Sequence, residues 1–255
     1  MAHPAHYREA HPLVFVLTHW INLISMVALA FSGCYIHYPF FAGFMGVARG
    51  MHFVFMYVLI INLTFRIIAS FFTKSATMLG TREQDTDIKN WLPQQANRHQ
   101  LVSWLKYYLF LKKDHPLGAK YGVLQKIAYI ATIPLTYFMA YTGFAIYAPL
   151  MDSPLFSSAW IGGPMNMRIL HYFMMWVFLI FTAIHAYLAN VEGIAPSRLI
   201  FAWKEQEGVH FDPKTGKAVG KGSHLSSRLS VYRLDQDPGE PLPGSCAPIS
   251  ICGFF

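Results

Sequence analysis

Charge is what this sequence has least of. Only 13% of its 255 residues are Asp, Glu, Lys or Arg, about half the share in an average soluble domain. Four long stretches carry almost none of it and 54% of the chain is hydrophobic, which places the protein in a bilayer rather than in water. Those stretches contain no Asp or Glu at all, and no internal repeat relates them. A haem-free anchor or a proton-coupled transporter would be expected to show intramembrane carboxylates or inverted repeats, so that class is disfavoured. Cysteine is scarce too. Cys34, Cys246 and Cys252 form neither CxxC nor CxxCH, which argues against iron–sulfur clusters, thiolate zinc and covalently attached haem. Gly253, Phe254 and Phe255 make a poor prenylation box behind Cys252. The first apolar run is too long for a cleaved signal and lacks a small-residue cleavage site, so it reads as a retained span.

Four spans follow from the uncharged runs. Residues 13–38 and 127–151 hold 26 and 25 residues without a charge, and 23 more lie between Arg168 and Glu192. About 20 apolar residues suffice to cross the hydrocarbon core as a helix. A further span opens at Arg49 and carries Arg66 near its far end, where the guanidinium is expected to snorkel to the surface. Pro134 is expected to kink the third span. Within the long polar connection between spans two and three, residues 101–113 mix aromatics with lysines, a composition suited to an interfacial helix. The expectation is an all-α four-helix membrane domain over 13–194. It is flanked by a polar lead-in (1–12) and a polar tail (195–255), irregular apart from a short piece at 198–204.

The net charge of +7 is topological in origin. The connection from Lys74 to Lys120 carries eight Lys/Arg and the tail seven, while the two remaining loops carry only Arg49 and Arg168. By the positive-inside rule both termini and the long connection are cytoplasmic, in a bacterial inner membrane. No basic patch interleaved with aromatics supports nucleic-acid binding.

Histidines give the spans a chemistry. His171 and His185 are 14 residues apart on the fourth span, so about 21 Å apart along the axis and within about 40° of one face. By depth, His52 on the second span matches His171 near the outer surface, and His19 on the first matches His185 near the inner. Each pair joins two helices, as bis-histidine haem ligation in a bundle requires. A lone membrane histidine is commonly a hydrogen-bonding or proton-relay residue; four at two matched depths point to two haems, with His19, His52, His171 and His185 as iron ligands. Zinc fits less well, for the spans hold no carboxylate and only one Cys, too few to supply a third and fourth ligand at both depths. His37, beside Tyr38 and Pro39, reads as interfacial. Gly33, 14 residues after His19, and Gly143 stand at the outer level, where a missing side chain lets a backbone approach a porphyrin; ordinary small-residue packing is the alternative. Arg49 and Arg168 lie one turn from His52 and His171 and could neutralise outer haem propionates or simply anchor the helices.

On these residues the chain resembles the cytochrome b subunit of membrane-bound nickel–iron hydrogenases. The likeness spans most of 12–194. It rests on His19-Trp20 followed by Ser32-Gly33, Arg49-x-x-His52, the segment YYLFLK at 107–112, Thr142-Gly143-Phe144, and the His171/His185 helix. The histidines are shared more widely, with formate dehydrogenase gamma subunits and thiosulfate reductase cytochromes, which gives the alternative catalytic partner; YYLFLK favours the hydrogenase branch. The resemblance implies two haem b groups, hydrogenase small and large subunits docked at the outer face, and a quinone as electron acceptor. It leaves room for a dimer of complexes. Position and a loose likeness to the family nominate His115, Tyr121 and Gln125 at the quinone site, although loop-capping roles would also account for each. The tail beyond about residue 208 has no counterpart.

The topology can be tested with reporter fusions. Fusions in the 74–120 connection or the tail should report a cytoplasmic location, and fusions in the loops after the first and third spans an external one. The reverse pattern would invert the assignment.

Overall fold

The computed structural model describes residues 8, 11–76, 84–92, 100–111, 123–150, 153–191, 194–204, 209–211 and 218–220. Four helices in it are long and apolar enough to cross a membrane. They are α1 (Leu13–His37), α2 (Met45–Phe72), α5 (Val123–Ala145) and α6 (Pro164–Val191). Shorter helices are α3 (Asp87–Trp91) and α4 (Leu101–Tyr108) in the long connection, and α7 (Ala195–Ala202) after the last span.

The helices form two close pairs, α1 on α2 and α5 on α6, with α2 also touching α5. Inside the first pair a buried amide acts as a clamp. Asn62 Nδ2 on α2 donates to the Thr18 carbonyl (2.8 Å) and to Asn22 Oδ1 (2.6 Å) on α1. In an apolar medium such a bond aligns two helices, because its loss strands a polar group. Tyr137 Oη on α5 and Thr64 Oγ1 on α2 lie 2.7 Å apart and link the two pairs. The outward faces are aliphatic and aromatic, with Leu17, Ile24, Ile61, Phe65, Ile180 and Ile184 all exposed. Such a surface is stable against lipid tails and would not be against water. At the far end α7 folds back on α1: Trp20 Nε1 donates to the Ile200 carbonyl (3.0 Å), and its ring meets Phe201 edge-on at 4.9 Å.

Several boundaries differ from the sequence reading. Helix α2 begins at Met45, a turn before Arg49, because charge alone marks the edge of the apolar run and not the edge of the helix. Helix α5 continues through Pro134 but ends at Ala145; a 3₁₀ turn follows at Ala148–Leu150, where Pro149 has no N–H to offer a further helical turn. Helix α4 stops at Tyr108, ahead of Phe110 in the left-handed region (φ 59°). The described part of the 101–113 segment is therefore shorter than a full interfacial helix. Nor is the chain wholly helical. β1 (Lys74–Ala76) pairs antiparallel with β2 (Gln84–Thr86), and in the tail β3 (Val209–Phe211) pairs with β4 (Ala218–Gly220). These short ribbons escaped a reading based on long apolar runs.

Arg66 has a partner that the sequence reading did not name. It is held by a buried carboxylate on α3: Nη2 donates to Asp87 Oδ2 at 2.9 Å, and the Asp87 side chain is fully buried. Ser75 Oγ (2.7 Å) and Trp91 Nε1 (3.0 Å) donate to the same carboxylate. The guanidinium lies over the rings of Phe15 (3.5 Å) and Trp91 (5.0 Å). Hydrogen bonds to both Asp87 oxygens and the aromatic faces offset part of the cost of the buried charge, while Arg66 Nη1 is buried without a hydrogen-bond partner among the described residues. The ion pair also fastens the connection β1–β2–α3 to the ends of α1 and α2. Asp87→Ala, which leaves Arg66 without its counter-ion, should cost about 3–5 kcal/mol in thermal unfolding of the detergent-solubilised protein. Lys89→Ala, which removes an exposed i,i+4 pair with Asp85, should leave the transition unchanged within error.

Candidate functional site

Four of the site residues named above come together as two facing pairs. His52 on α2 and His171 on α6 have ring centres 6.3 Å apart. His19 on α1 and His185 on α6 have ring centres 6.5 Å apart. The helix periodicity of α6 sets their separation, two histidines four turns apart on one face.

The spacing within each pair has chemical meaning. A first-row metal–imidazole bond is about 2 Å, and a ring centre lies roughly 1 Å behind its nitrogen, so two rings sharing one iron have centres about 6 Å apart. Both pairs meet that condition. Among the described residues no group of three or more His, Cys, Asp or Glu could hold a metal ion. Each site thus offers two axial donors and no equatorial ones. A porphyrin supplies four equatorial nitrogens of its own; a bare zinc or iron ion would be left under-coordinated. The donor set fits haem.

The His52–His171 pair is fixed by two hydroxyls that the sequence reading quoted without giving them a role. Ser32 Oγ stands 2.9 Å from His52 Nδ1, and Thr142 Oγ1 stands 2.8 Å from His171 Nδ1. The tautomer follows from counting hydrogens. The single hydroxyl hydrogen of Ser32 goes to the Ala28 carbonyl (2.7 Å, with Leu29 at 3.2 Å), and that of Thr142 to the Met139 carbonyl (2.8 Å). With that hydrogen on the carbonyl, each hydroxyl oxygen is free to accept from the imidazole, an arrangement that puts the proton on Nδ1 and keeps the Nε2 lone pair. Ser32-Gly33 on α1 and Thr142-Gly143 on α5 repeat one hydroxyl–glycine dipeptide, one for each histidine of this pair. That repetition was the available signal.

The two glycines lie against the rings of this pair. A Cβ on Gly33 would stand 3.4 Å from His52 Cε1 and 3.7 Å from Met175 Sδ. One on Gly143 would stand 3.2 Å from His171 Cε1. What fills the space is the imidazole itself. Each dipeptide is a socket in which the hydroxyl holds the ring and the glycine makes room for it.

The His19–His185 pair is built differently. His19 Nδ1 is buried with no hydrogen-bond partner, and the His185 ring is stacked on Phe181 at 6.3 Å and 13°. Neither ring is held by a hydroxyl among the described residues.

The remaining candidates fall outside these pairs. Arg49 and Arg168 are exposed, one turn from His52 and His171, with no ion pair among the described residues. His37 stacks on Tyr172 at 3.9 Å and 15°, an interfacial aromatic contact. His115 and Tyr121 lie outside the described residues, as does the side chain of Gln125, whose backbone belongs to α5. Cys246 and Cys252 also lie outside them.

The chain was compared with known proteins. It is 26% identical over 209 residues to a protein of Azotobacter chroococcum named as a probable Ni/Fe-hydrogenase B-type cytochrome subunit, covering 74% of this chain and 84% of that one. Its counterpart of the same name in Azotobacter vinelandii is 25% identical over the same shares. A third, from Cupriavidus necator and also so named, is 27% identical over 239 residues, 87% of this chain and 84% of the relative. Residues 10–200, which include all four helices and both histidine pairs, match the prokaryotic cytochrome b561 family. The chain belongs to that family.

Proposed function

We propose that this protein is the membrane cytochrome b subunit of a nickel–iron hydrogenase, carrying electrons from the catalytic subunits to the quinone pool and anchoring them to the bilayer. The observation that carries the reading is the pair of facing imidazole couples at iron-bridging distance, both drawing on α6. The names of the three relatives supply the hydrogenase half of it.

On this reading His52 and His171 hold the outer haem b and His19 and His185 the inner. A bound haem supplies a one-electron iron couple. Held by two histidines at each site, the iron would have no open place for oxygen or substrate, which suits electron transfer. The chain does the rest. It sets the two sites about 21 Å apart along one helix, and it surrounds them with apolar side chains such as Met174, Met175 and Phe178 of α6, all buried. Arg49 and Arg168, without ion-pair partners among the described residues, offer charge to the propionates of the outer site. Hydrogenase small and large subunits dock on the outer face, and the quinone is reduced near the inner end of α5, with His115, Tyr121 and Gln125 as donors to its carbonyls. Both termini lie in the cytoplasm.

Two outcomes test this. Purified protein should show two b-type haems per chain in a reduced-minus-oxidised spectrum. His52→Ala and His171→Ala should each remove one haem, the same one in both cases. Protein without haem, or His171→Ala retaining both, would sink the assignment. Deleting the gene should abolish hydrogen-dependent quinone reduction in membranes while leaving hydrogen oxidation with a soluble dye at half or more of its level. Unimpaired quinone reduction would point to another catalytic partner.

A further inference from the structure

We propose that Ser32 and Thr142 are positioning residues that hold the iron of the His52–His171 site at a lower reduction potential than that of the His19–His185 site. The inference rests on the di-haem reading above and adds a direction to it.

The starting point is an asymmetry between two otherwise similar sites. At one, each imidazole Nδ1 stands within hydrogen-bond distance of a hydroxyl oxygen, at 2.9 Å and 2.8 Å. That oxygen can accept from Nδ1–H, since its own hydrogen has a main-chain carbonyl one turn earlier to go to. At the other, His19 Nδ1 is buried and unpartnered, and no described residue hydrogen-bonds His185. A hydrogen bond from the far nitrogen makes a metal-bound imidazole a stronger donor. Stronger donation favours the ferric over the ferrous state, so the one-electron couple moves to lower potential. In a low-dielectric interior such a bond counts for more than it would in water. Two such bonds against none leave the outer site the better reductant, and an electron arriving there is driven toward the inner site without any external field.

The sockets themselves argue for a dedicated arrangement. Each hydroxyl directly precedes a glycine whose missing Cβ makes room for the same ring. Each dipeptide belongs to a helix other than the one carrying its histidine, α1 for His52 and α5 for His171. All four transmembrane helices thus meet at this one site, whereas the other pair draws its ligands from α1 and α6 alone.

The test is a potentiometric titration of the purified, haem-loaded full chain, followed optically and by low-temperature electron paramagnetic resonance. In the unaltered protein the lower-potential haem should be the one that His52→Ala removes. If that haem is the higher of the two, the proposal is overturned whatever the variants do. Ser32→Ala and Thr142→Val should each raise the potential of that haem, with a change of about tenfold in its oxidised-to-reduced ratio, about 59 mV for one electron, and leave the other haem in place. Ser32→Thr and Thr142→Ser keep a hydroxyl and should stay near the unaltered value. Two bound haems with unmoved potentials in Ser32→Ala and Thr142→Val would defeat this inference and leave the di-haem reading standing. Equal shifts in the hydroxyl-retaining variants would likewise defeat it, assigning the effect to packing. Absence of haem in the unaltered protein would instead defeat the reading on which it rests.

Discussion

An imidazole buried in a lipid-facing bundle has two nitrogens and no water to satisfy them. Everything about the His52–His171 site follows from that constraint. Nδ1 meets a hydroxyl from a neighbouring helix, which suits a proton on that side and leaves Nε2 its lone pair, with the two ring centres 6.3 Å apart. On the proposed reading iron takes up both lone pairs, and no polar group is stranded. Without the hydroxyls the proton could sit on either nitrogen, and the ligating atom would be undefined.

The same constraint shapes the packing. α1 lies close on α2 and α5 on α6, and the two pairs reach toward each other through long side chains: His19 to His185, His52 to His171, Cys34 Sγ to Met175 Sδ at 3.8 Å. Small residues are placed where a ring needs room, at Gly33 and Gly143. Polar clamps hold the helices to one another, as with Asn62 of α2 on Thr18 and Asn22 of α1 and the Asp87 network around Arg66. On the proposed reading the space between the pairs is where the cofactors would sit.

What could be read from the sequence was whatever depends on period and length. Apolar runs gave the four spans, and a rise of about 1.5 Å per residue gave the depths at which histidines could meet. What could not be read depends on rotation about the axis and on partners distant in sequence. Ser32 and Thr142 look like ordinary small residues in a helix until a histidine is known to face them from 20 and 29 positions away. Arg66 looked like a snorkelling cation because its counter-ion sits on a five-residue helix in a polar connection, where hydropathy has no signal. The ribbons β1–β2 and β3–β4 are three residues per strand, too short for any alternation to register.

Arg66 also shows how the bundle combines two demands on one helix. It follows His52 by 14 residues, the same interval that separates His171 from His185 and His19 from Gly33, so it lies on the same stripe of α2. A third histidine there would crowd the His19–His185 pair. A small residue would leave a gap beside Phe15, which is buried one turn before His19. A guanidinium covers Phe15 with its flat face and carries its charge outward to Asp87. The end of α1 that carries His19 is thereby braced from α2, and the brace is tied to the connection that leads to α5. A cation is thus tolerated at that depth because the fold brings it a buried carboxylate, and the carboxylate in turn fixes where the polar connection attaches.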